Sequence, residues 1–586
     1  MHIMWRLCKA SPKQRFLLSH VRAFRIGKSP RRDEIFLVPI ESLDKQGNGV
    51  TTIEWDTMQK QIEPTKLVVR GALPGETVRV RVISVFAKSG LAIHTVSLNV
   101  FGRRERLIRP RLDSEPWRSS LEPELLPAGH QESPDLIPFA CPHFSRRHDD
   151  ESCRGCTVPH LNYTRQIDEK TKLLKAALSG AVDSSFPVVV EPRSQIDRFA
   201  SKVEVFAFSK RPLETPEWGQ LSFKDPLPGE RRNKHFIPTP ECRLMSKSAK
   251  VVLNRLSELV QVAHETSPGL FSVYDEILNR GFLRSTILQS AKSKDGSTQV
   301  LLTIVTATEP SPRFRELVKS EVADRLMAEF PLLKGVLLQQ ASVSPDRDAE
   351  YFADTSKRLV LAGEERIHQF VESQQREIAI GPETNSFDPE VQSKLVESLI
   401  AAIGDRDEPV VEFFSGDHSI TSALREMSSH VTSLSSENVS AMLEAGIVPS
   451  QVGEPFLIPS GESGTFETPP MVVNESHRAM VSADENEKVA VISYPPDNGK
   501  ADIKGVTSKD FRHWLGNVVK PQKIVIITDK FDGLRKDIGH MKLLGYELLS
   551  IRAVDAQPGQ MHRIATIVVM QRKPRYQDLT QDQLIE

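Results

Sequence analysis

Five cysteines occur in this chain of 586 residues: Cys8, Cys141, Cys153, Cys156 and Cys242. Cys153-Arg154-Gly155-Cys156 is a C-x-x-C pair. Such a pair sets two thiolates on one turn, an arrangement suited to a soft metal centre. Cys141 and Cys242 bring the available thiolates to four. On spacing alone, zinc and a four-iron four-sulfur cluster fit equally well. Buried thiols without a ligand are the third possibility. Four cysteines in so long a chain do not make the disulfide framework of a small secreted protein. No cysteine follows Cys242, so the last three-fifths of the chain has no thiol chemistry.

Those residues must be positioned by several cores, because 586 residues suggest roughly three or four domains. Hydrophobic residues at 39% and charged residues at 26% are ordinary for a soluble globular chain. No stretch approaches the roughly 20 apolar residues of a membrane span. The N-terminus differs in character. Nine Lys or Arg precede the first acidic residue, Asp33, and they alternate with Leu7, Phe16, Leu17, Leu18, Val21 and Phe24. This is the composition of a mitochondrial presequence, and a basic RNA-binding arm is the competing reading. The net charge is −1, so removing that segment leaves a mature chain of about −10. Any nucleic-acid contact must therefore come from local patches. The densest is Arg103, Arg104, Arg106, Arg109 and Arg111, which reads either as an RNA-contacting strip or as a solvated basic stretch.

The pattern along the chain predicts short strands over 35–40, 67–69, 78–86 and 91–96, with a turn at Ala72–Glu76. A small closed β-barrel is the expected result. Residues 102–140 turn irregular and rich in Pro, Ser and Glu. Asn162–Leu178 has helical spacing and Gly180 is its expected stop. Strands and helices alternate from there to about residue 372. Beyond Ser386 the order of helices and strands (391–403, 410–414, 420–426, 489–493, 524–528, 564–570) predicts an α/β domain with a largely parallel sheet. Residues 448–488 are polar, acidic and Pro-rich, which predicts a long disordered loop.

The residues around the C-x-x-C pair are more specific than the pair itself. Cys153, Cys156, His160, Tyr163, Gln166 and Lys170 have the types and offsets of the iron–sulfur motif in the TrmA/RumA-type RNA 5-methyluridine methyltransferases, which this segment resembles. The resemblance implies a four-iron four-sulfur cluster on Cys141, Cys153, Cys156 and Cys242. The interval from Cys141 to Cys153 is longer than usual in that family and contains Arg146, Arg147, His148, Asp149 and Asp150, a solvated loop. Gly71–Glu76 and its flanking strands are similar to the family's TRAM barrel. Gly281-Phe282-Leu283-Arg284 is similar to its G-x-L-R strand, and Val554-Asp555, Pro558 and His562 to its C-terminal motif. The fold so implied is α/β and multidomain: a TRAM/OB-like β-barrel, a central α+β iron–sulfur domain and a Rossmann-like methyltransferase domain. The expected spans are 1–32 for targeting, 33–101 for the barrel, 102–140 for a linker, 141–372 for the central domain, 373–575 for the methyltransferase-type domain and 576–586 for a tail. The helix at 161–180 is the part of the central span that could pack on the last domain.

Methylation of uracil at C5 needs covalent help, because C5 is a weak nucleophile. In the family a thiolate adds to C6, C5 attacks the methyl group of S-adenosylmethionine, and a base removes the C5 proton. On the resemblance, the nucleophile position holds Asp529 and the base position holds Ile564. Neither can do its part. The D-P-P-R motif has become Tyr494-Pro495-Pro496-Asp497, and no Gln matches the family's S-F-F-Q segment near Asn385–Phe387. The cofactor loop reads Glu412-Phe413-Phe414-Ser415-Gly416-Asp417-His418-Ser419, keeping only Gly416 of its glycines. The ribose-binding acid falls at Ser435, with Glu437 close by. Glu412, Gly416 and Ser435 are thus the candidate S-adenosylmethionine contacts, in a degenerate loop. Asp529-Lys530 reads as a solvated turn.

These features predict a non-catalytic RNA-binding member of the family in the mitochondrial matrix, acting on structured RNA, foremost ribosomal RNA during ribosome assembly. The alternative is an active S-adenosylmethionine-dependent methyltransferase of rRNA or tRNA, aimed at a base nitrogen or ribose oxygen, which needs no cysteine. Electron transfer at the cluster has no flavin or nicotinamide fingerprint to support it.

Overall fold

The computed structural model describes residues 24–26, 35–56, 62–69, 71–88, 91–98, 133–137, 141, 143–144, 153, 156–196, 200, 202–208, 217–223, 234–239, 241–267, 271–274, 281–342, 352–372, 375–382, 388–404, 409–414, 418–428, 431–434, 489–493, 509–529 and 531–573. Three seven-stranded sheets and one two-stranded hairpin organise them.

The first sheet runs, neighbour to neighbour, through strands 24–26, 49–56, 62–69, 91–98, 77–88 and 35–39, with 42–43 added beside 49–56. Phe24–Ile26 lies inside the stretch read as a targeting segment, and it pairs parallel with Ile53–Trp55. The expected turn is present: Gly75 takes φ +86, and the Glu76 carboxylate accepts the Leu73 amide at 2.8 Å. That bond explains a buried acid at the turn, since the carboxylate satisfies a donor the turn leaves free. Among the described residues the pairings form a path with two ends, not the closed ring expected.

The second sheet orders its strands 234–238, 217–223, 202–208, 283–292, 298–306, 333–342 and 352–363. Helix Lys247–Thr266 packs on it, capped by the Ser246 hydroxyl, which accepts the Ala249 amide at 3.1 Å. Gly281 enters this sheet at φ +102, and the Val273 carbonyl occupies the place a Cβ would take. Only glycine meets both conditions, which is a physical reason for glycine at the head of the Gly281–Arg284 motif.

The third sheet positions the site. Its strands, in chain order, are β1 (Val190–Glu191), β2 (Val410–Phe413), β3 (Val431–Leu434), β4 (Val489–Ser493), β5 (Lys523–Thr528), β6 (Tyr546–Asp555) and β7 (Ile564–Arg572). The spatial order is β3-β2-β4-β5-β7-β6-β1. Strands β2 to β5 are parallel, and β7 runs antiparallel between β5 and β6. Continuous apolar runs such as Lys523–Thr528 fit a sheet covered on both faces. One cover contains α1 (Tyr163–Leu178) and α5 (Phe531–Leu543); the other contains α2 (Pro389–Ile403) and α3 (His418–Met427). Helix α4 (Lys509–Trp514) continues into a π turn, Leu515–Val519, on the first face.

Helix α1 starts where its sequence says. Asn162 caps it by accepting the Thr164 amide at 3.0 Å, and Gly180 at φ +83 follows its end. Leu174 and Leu178 join the core of the third sheet, and β1 pairs with the end of β6. Sequence that precedes the second sheet is thereby built into the third. No described helix is long and apolar enough to cross a membrane.

Candidate functional site

Strand β2 sits between β3 and β4, so the chain leaves β2 in one direction and later returns on its other side. Ligands of open α/β sheets bind at the carboxyl ends of strands where the order reverses in this way. Phe414 lies there at φ +63. A left-handed non-glycine residue costs roughly 1–2 kcal/mol. Its ring is buried and tilts against Phe511 at 5.0 Å, within a group that also holds Phe413 and Trp514. Each such aromatic pair adds about 0.5–1.5 kcal/mol, enough to hold the strained turn.

Glu412 precedes this turn and is wholly buried. Its Oε2 accepts the Thr421 hydroxyl at 2.7 Å and the Ser433 hydroxyl at 2.9 Å. It ties β2 to α3 and β3. Gly416 and Ser435, the other candidate cofactor contacts, lie outside the described residues, as do Tyr494–Asp497, Asn385–Phe387, the basic strip Arg103–Arg111 and the insertion 448–488.

Asp529 directly follows β5 and corrects one expectation. It is only 4% exposed, so it is no solvated turn. Its Oδ2 accepts a charge-assisted hydrogen bond from Arg563 Nη1 at 2.7 Å. Arg563 leads into β7, whose antiparallel course brings its start to the same edge as the ends of β5 and β6. Ile564, at the base position, is wholly buried in the main core of this domain.

Cys141, Cys153, Cys156 and Cys242 are partly buried and form no disulfide with one another. The Phe144 amide donates to the Cys141 carbonyl at 3.3 Å, and the Cys153 amide to the His143 carbonyl at 2.7 Å. His143 Nε2 accepts the Glu241 amide at 3.3 Å, next to Cys242. Burial pushes the Cys156 thiol well up, and Cys242, Cys153 and Cys141 add to it through space. Burial also raises Cys242, against two backbone N–H groups, of Leu244 and Met245, that point at its sulfur. Among the described residues, no group of three or more His, Cys, Asp or Glu side chains is placed to hold a metal ion.

Next to Cys156 the sequence motif meets the C-terminal motif. Tyr163, Gln166 and Lys170 recur at three- and four-residue steps, which puts them on one face of α1. The Tyr163 hydroxyl donates to Asp555 Oδ2 at 2.9 Å and accepts the Arg193 amide at 2.8 Å. Gln166 Oε1 accepts the Gly559 amide at 2.7 Å. Lys170 Nζ is paired with Asp555 Oδ1 and donates to the Gln557 carbonyl at 2.8 Å. Burial lowers the Lys170 pKa, and Asp555 opposes that shift. His160 is buried and stacks on Phe144 at 4.9 Å. Leu43 and Leu73 of the first sheet pack with Val158, Leu161 and Met561, so its loops close over this junction.

Two participants escaped the sequence reading. One is Arg563, which directly follows His562 of the C-terminal motif. Arg193, buried beside β1, donates to Asp388 Oδ1 at 2.6 Å and to the Ala556 carbonyl at 3.3 Å. Neither has a local signal, because their partners are distant in sequence. An open cleft of about 610 Å³ lies elsewhere, between α1 and α5, and is lined by Arg535, Lys536 and His540 among others. It touches none of the cysteines.

Comparison with known proteins gives this arrangement a class. The chain is 23% identical to an uncharacterized RNA methyltransferase of Bacillus cereus over 549 residues, 92% of this chain and 97% of that protein. It is 26% identical over 157 residues to the tRNA (uracil(54)-C(5))-methyltransferase of Pyrococcus abyssi, 26% of this chain and 31% of that one. No family model matches. Its fold is shared with the crystal structure of a Pyrococcus abyssi tRNA (uracil-54, C5)-methyltransferase in complex with S-adenosyl-L-homocysteine. That match has a TM-score of 0.53 and 17% identity, covering 91% of this chain and all of the other. The chain is thus similar in sequence to RNA methyltransferases and shares its fold with a tRNA (uracil-54, C5)-methyltransferase.

Proposed function

We propose that the chain binds structured RNA without performing cysteine-dependent uracil methylation. The observation that carries this reading is the Asp529–Arg563 pair. A carboxylate held by a guanidinium stands where the resemblance puts the attacking thiolate. It is a poor nucleophile toward C6, and Ile564 beside it can take no proton. The first sheet, read as a TRAM-like barrel, and the basic strip Arg103–Arg111 supply the RNA contacts. Cys141, Cys153, Cys156 and Cys242 hold a four-iron four-sulfur cluster. Four thiols with the motif's sequence offsets are the ligand set such a cluster takes. The basic N-terminal composition supports a mitochondrial location, and ribosomal RNA is the substrate class this implies.

A second reading is favoured by the retained reversal of strand order at β2. In it the chain binds S-adenosylmethionine and methylates a base nitrogen or a ribose oxygen of rRNA or tRNA, atoms that need no covalent activation. Calorimetry of S-adenosylmethionine with anaerobically purified protein separates the two. No heat at millimolar cofactor supports the first reading; micromolar affinity supports the second. Crosslinking that recovers no RNA above background would sink both.

A further inference from the structure

The turn between β6 and β7 is held mainly by residues of the cysteine motif. Both backbone polar groups of Gly559 are taken. Its carbonyl accepts the Thr157 amide at 2.7 Å, the Val158 amide at 2.9 Å and the Thr157 hydroxyl at 3.1 Å. Its amide donates to Gln166 Oε1 at 2.7 Å. Gln166 also donates from Nε2 to the Leu161 carbonyl at 2.8 Å, so one side chain bridges the cysteine loop and the turn. The Met561 amide reaches Thr157 Oγ1 at 3.3 Å. Further along, Lys170 Nζ donates to the Arg563 carbonyl at 3.3 Å.

Thr157 adjoins Cys156, and Arg563 carries the guanidinium that holds Asp529. Gly559 at φ +78 brings its backbone close beneath the thiol loop, with its Cβ position 3.8 Å from Cys156 Cβ. A movement of Cys156 moves Thr157, and Thr157 cannot move without releasing the Gly559 carbonyl. A buried carbonyl or amide stripped of its partner is costly, so the two segments shift together.

We propose that Gln166, Thr157 and Lys170 are positioning residues that couple the four-thiol site to the Asp529–Arg563 pair. When the thiols are ligated, the 556–563 turn is ordered and Arg563 is held on Asp529; when they are not, the turn loosens. The coupling rests on the proposed cluster for its natural ligand, but not for its mechanics. Coupling of this kind is reciprocal, so the turn must also govern the thiols.

Hydrogen exchange on the full-length protein tests it, comparing cluster-reconstituted with iron-stripped samples. Stripping is expected to speed exchange of 557–563 by about tenfold or more while β5 is unchanged. Iron analysis of the reconstituted sample reports separately on the cluster. If no iron binds, alkylation of the thiols with iodoacetamide replaces stripping as the perturbation, and the same local loosening is expected. In the reverse direction, Gln166→Leu and Thr157→Val are expected to raise the labelling rate of Cys156 several-fold. Thermal unfolding shows whether these variants remain folded. Unchanged exchange of 557–563 after verified iron loss, or after alkylation, overturns the coupling. So does an unchanged Cys156 labelling rate in both folded variants.

Discussion

Arg563 reaches back from the start of β7 to Asp529 at the end of β5, Nη1 to Oδ2 at 2.7 Å. Asp529 is almost fully buried while the arginine side chain keeps 37% of its exposure. The pair is asymmetric, and so is the cost of breaking it. Arg563→Ala leaves a buried carboxylate alone and should destabilise by about 2–3 kcal/mol. Asp529→Ala leaves an arginine that can turn to water and should cost about 1 kcal/mol or less. Urea midpoints of the two variants, at equal slope, check the order. Equal losses would mean that the pair is not what holds this edge.

Restoring the thiol should not restore chemistry. Asp529→Cys supplies a nucleophile, but Ile564 remains a core residue with no proton to exchange. No 5-methyluridine is expected by mass spectrometry of co-expressed RNA. Ile564→Glu, meant to complete the site, puts a carboxylate in an apolar core and should cost about 3 kcal/mol or more. Appearance of 5-methyluridine with Asp529→Cys alone would show that Ile564 does not block the chemistry.

The contrast between what the sequence disclosed and what it hid follows from distance along the chain. Helix α1 was legible because its signals are local: Asn162 at the start, apolar residues at helical steps, Gly180 at the end. The buried strands of the third sheet were legible as apolar runs. Strand 49–56, Gly-Val-Thr-Thr-Ile-Glu-Trp-Asp, was not, since its polar residues break the run and its pairing decides it. Nor was β1, two residues long and recognisable only against β6. The burial of Asp529 depends on an arginine 34 residues away, and Lys170 meets Asp555 across 385. The cysteine motif and the C-terminal motif were both visible, but not that each is the other's binding surface.

Gly281 allows a sharper test of the second sheet. At φ +102, with the Val273 carbonyl in the place of a side chain, alanine is both strained and blocked. Gly281→Ala should lose about 3 kcal/mol or more, from the left-handed backbone and from displacing the 271–274 segment that bonds to Phe282 and Leu283. Gly296→Ala is the control, since its φ is +81 but nothing stands near its Cβ position. It should lose only about 1–2 kcal/mol. Thermal melts that rank the two alike would show that close packing adds nothing at Gly281.

Alkaline stability should report on Tyr546. Its ring is buried at the start of β6, and its hydroxyl donates to the Pro521 carbonyl at 2.7 Å. Burial is the main cause that pushes this phenol from its ordinary 10.0 up to about 12. The folded state thus keeps a proton that the unfolded chain releases. Its contribution is fully present below pH 10 and is lost as pH rises from there through about 12. The loss should be on the order of 2 kcal/mol for this group. Tyr163, raised by burial and then by Asp555, adds to the same alkaline slope. Tyr546→Phe removes the titrating group together with its hydrogen bond. That variant should be less stable than the parent at pH 8 by about 1 kcal/mol, and the gap should close or reverse by pH 11. Denaturant titrations at the two pH values read it directly, and a constant gap would show that the Tyr546 phenol does not titrate differently in the folded and unfolded chain.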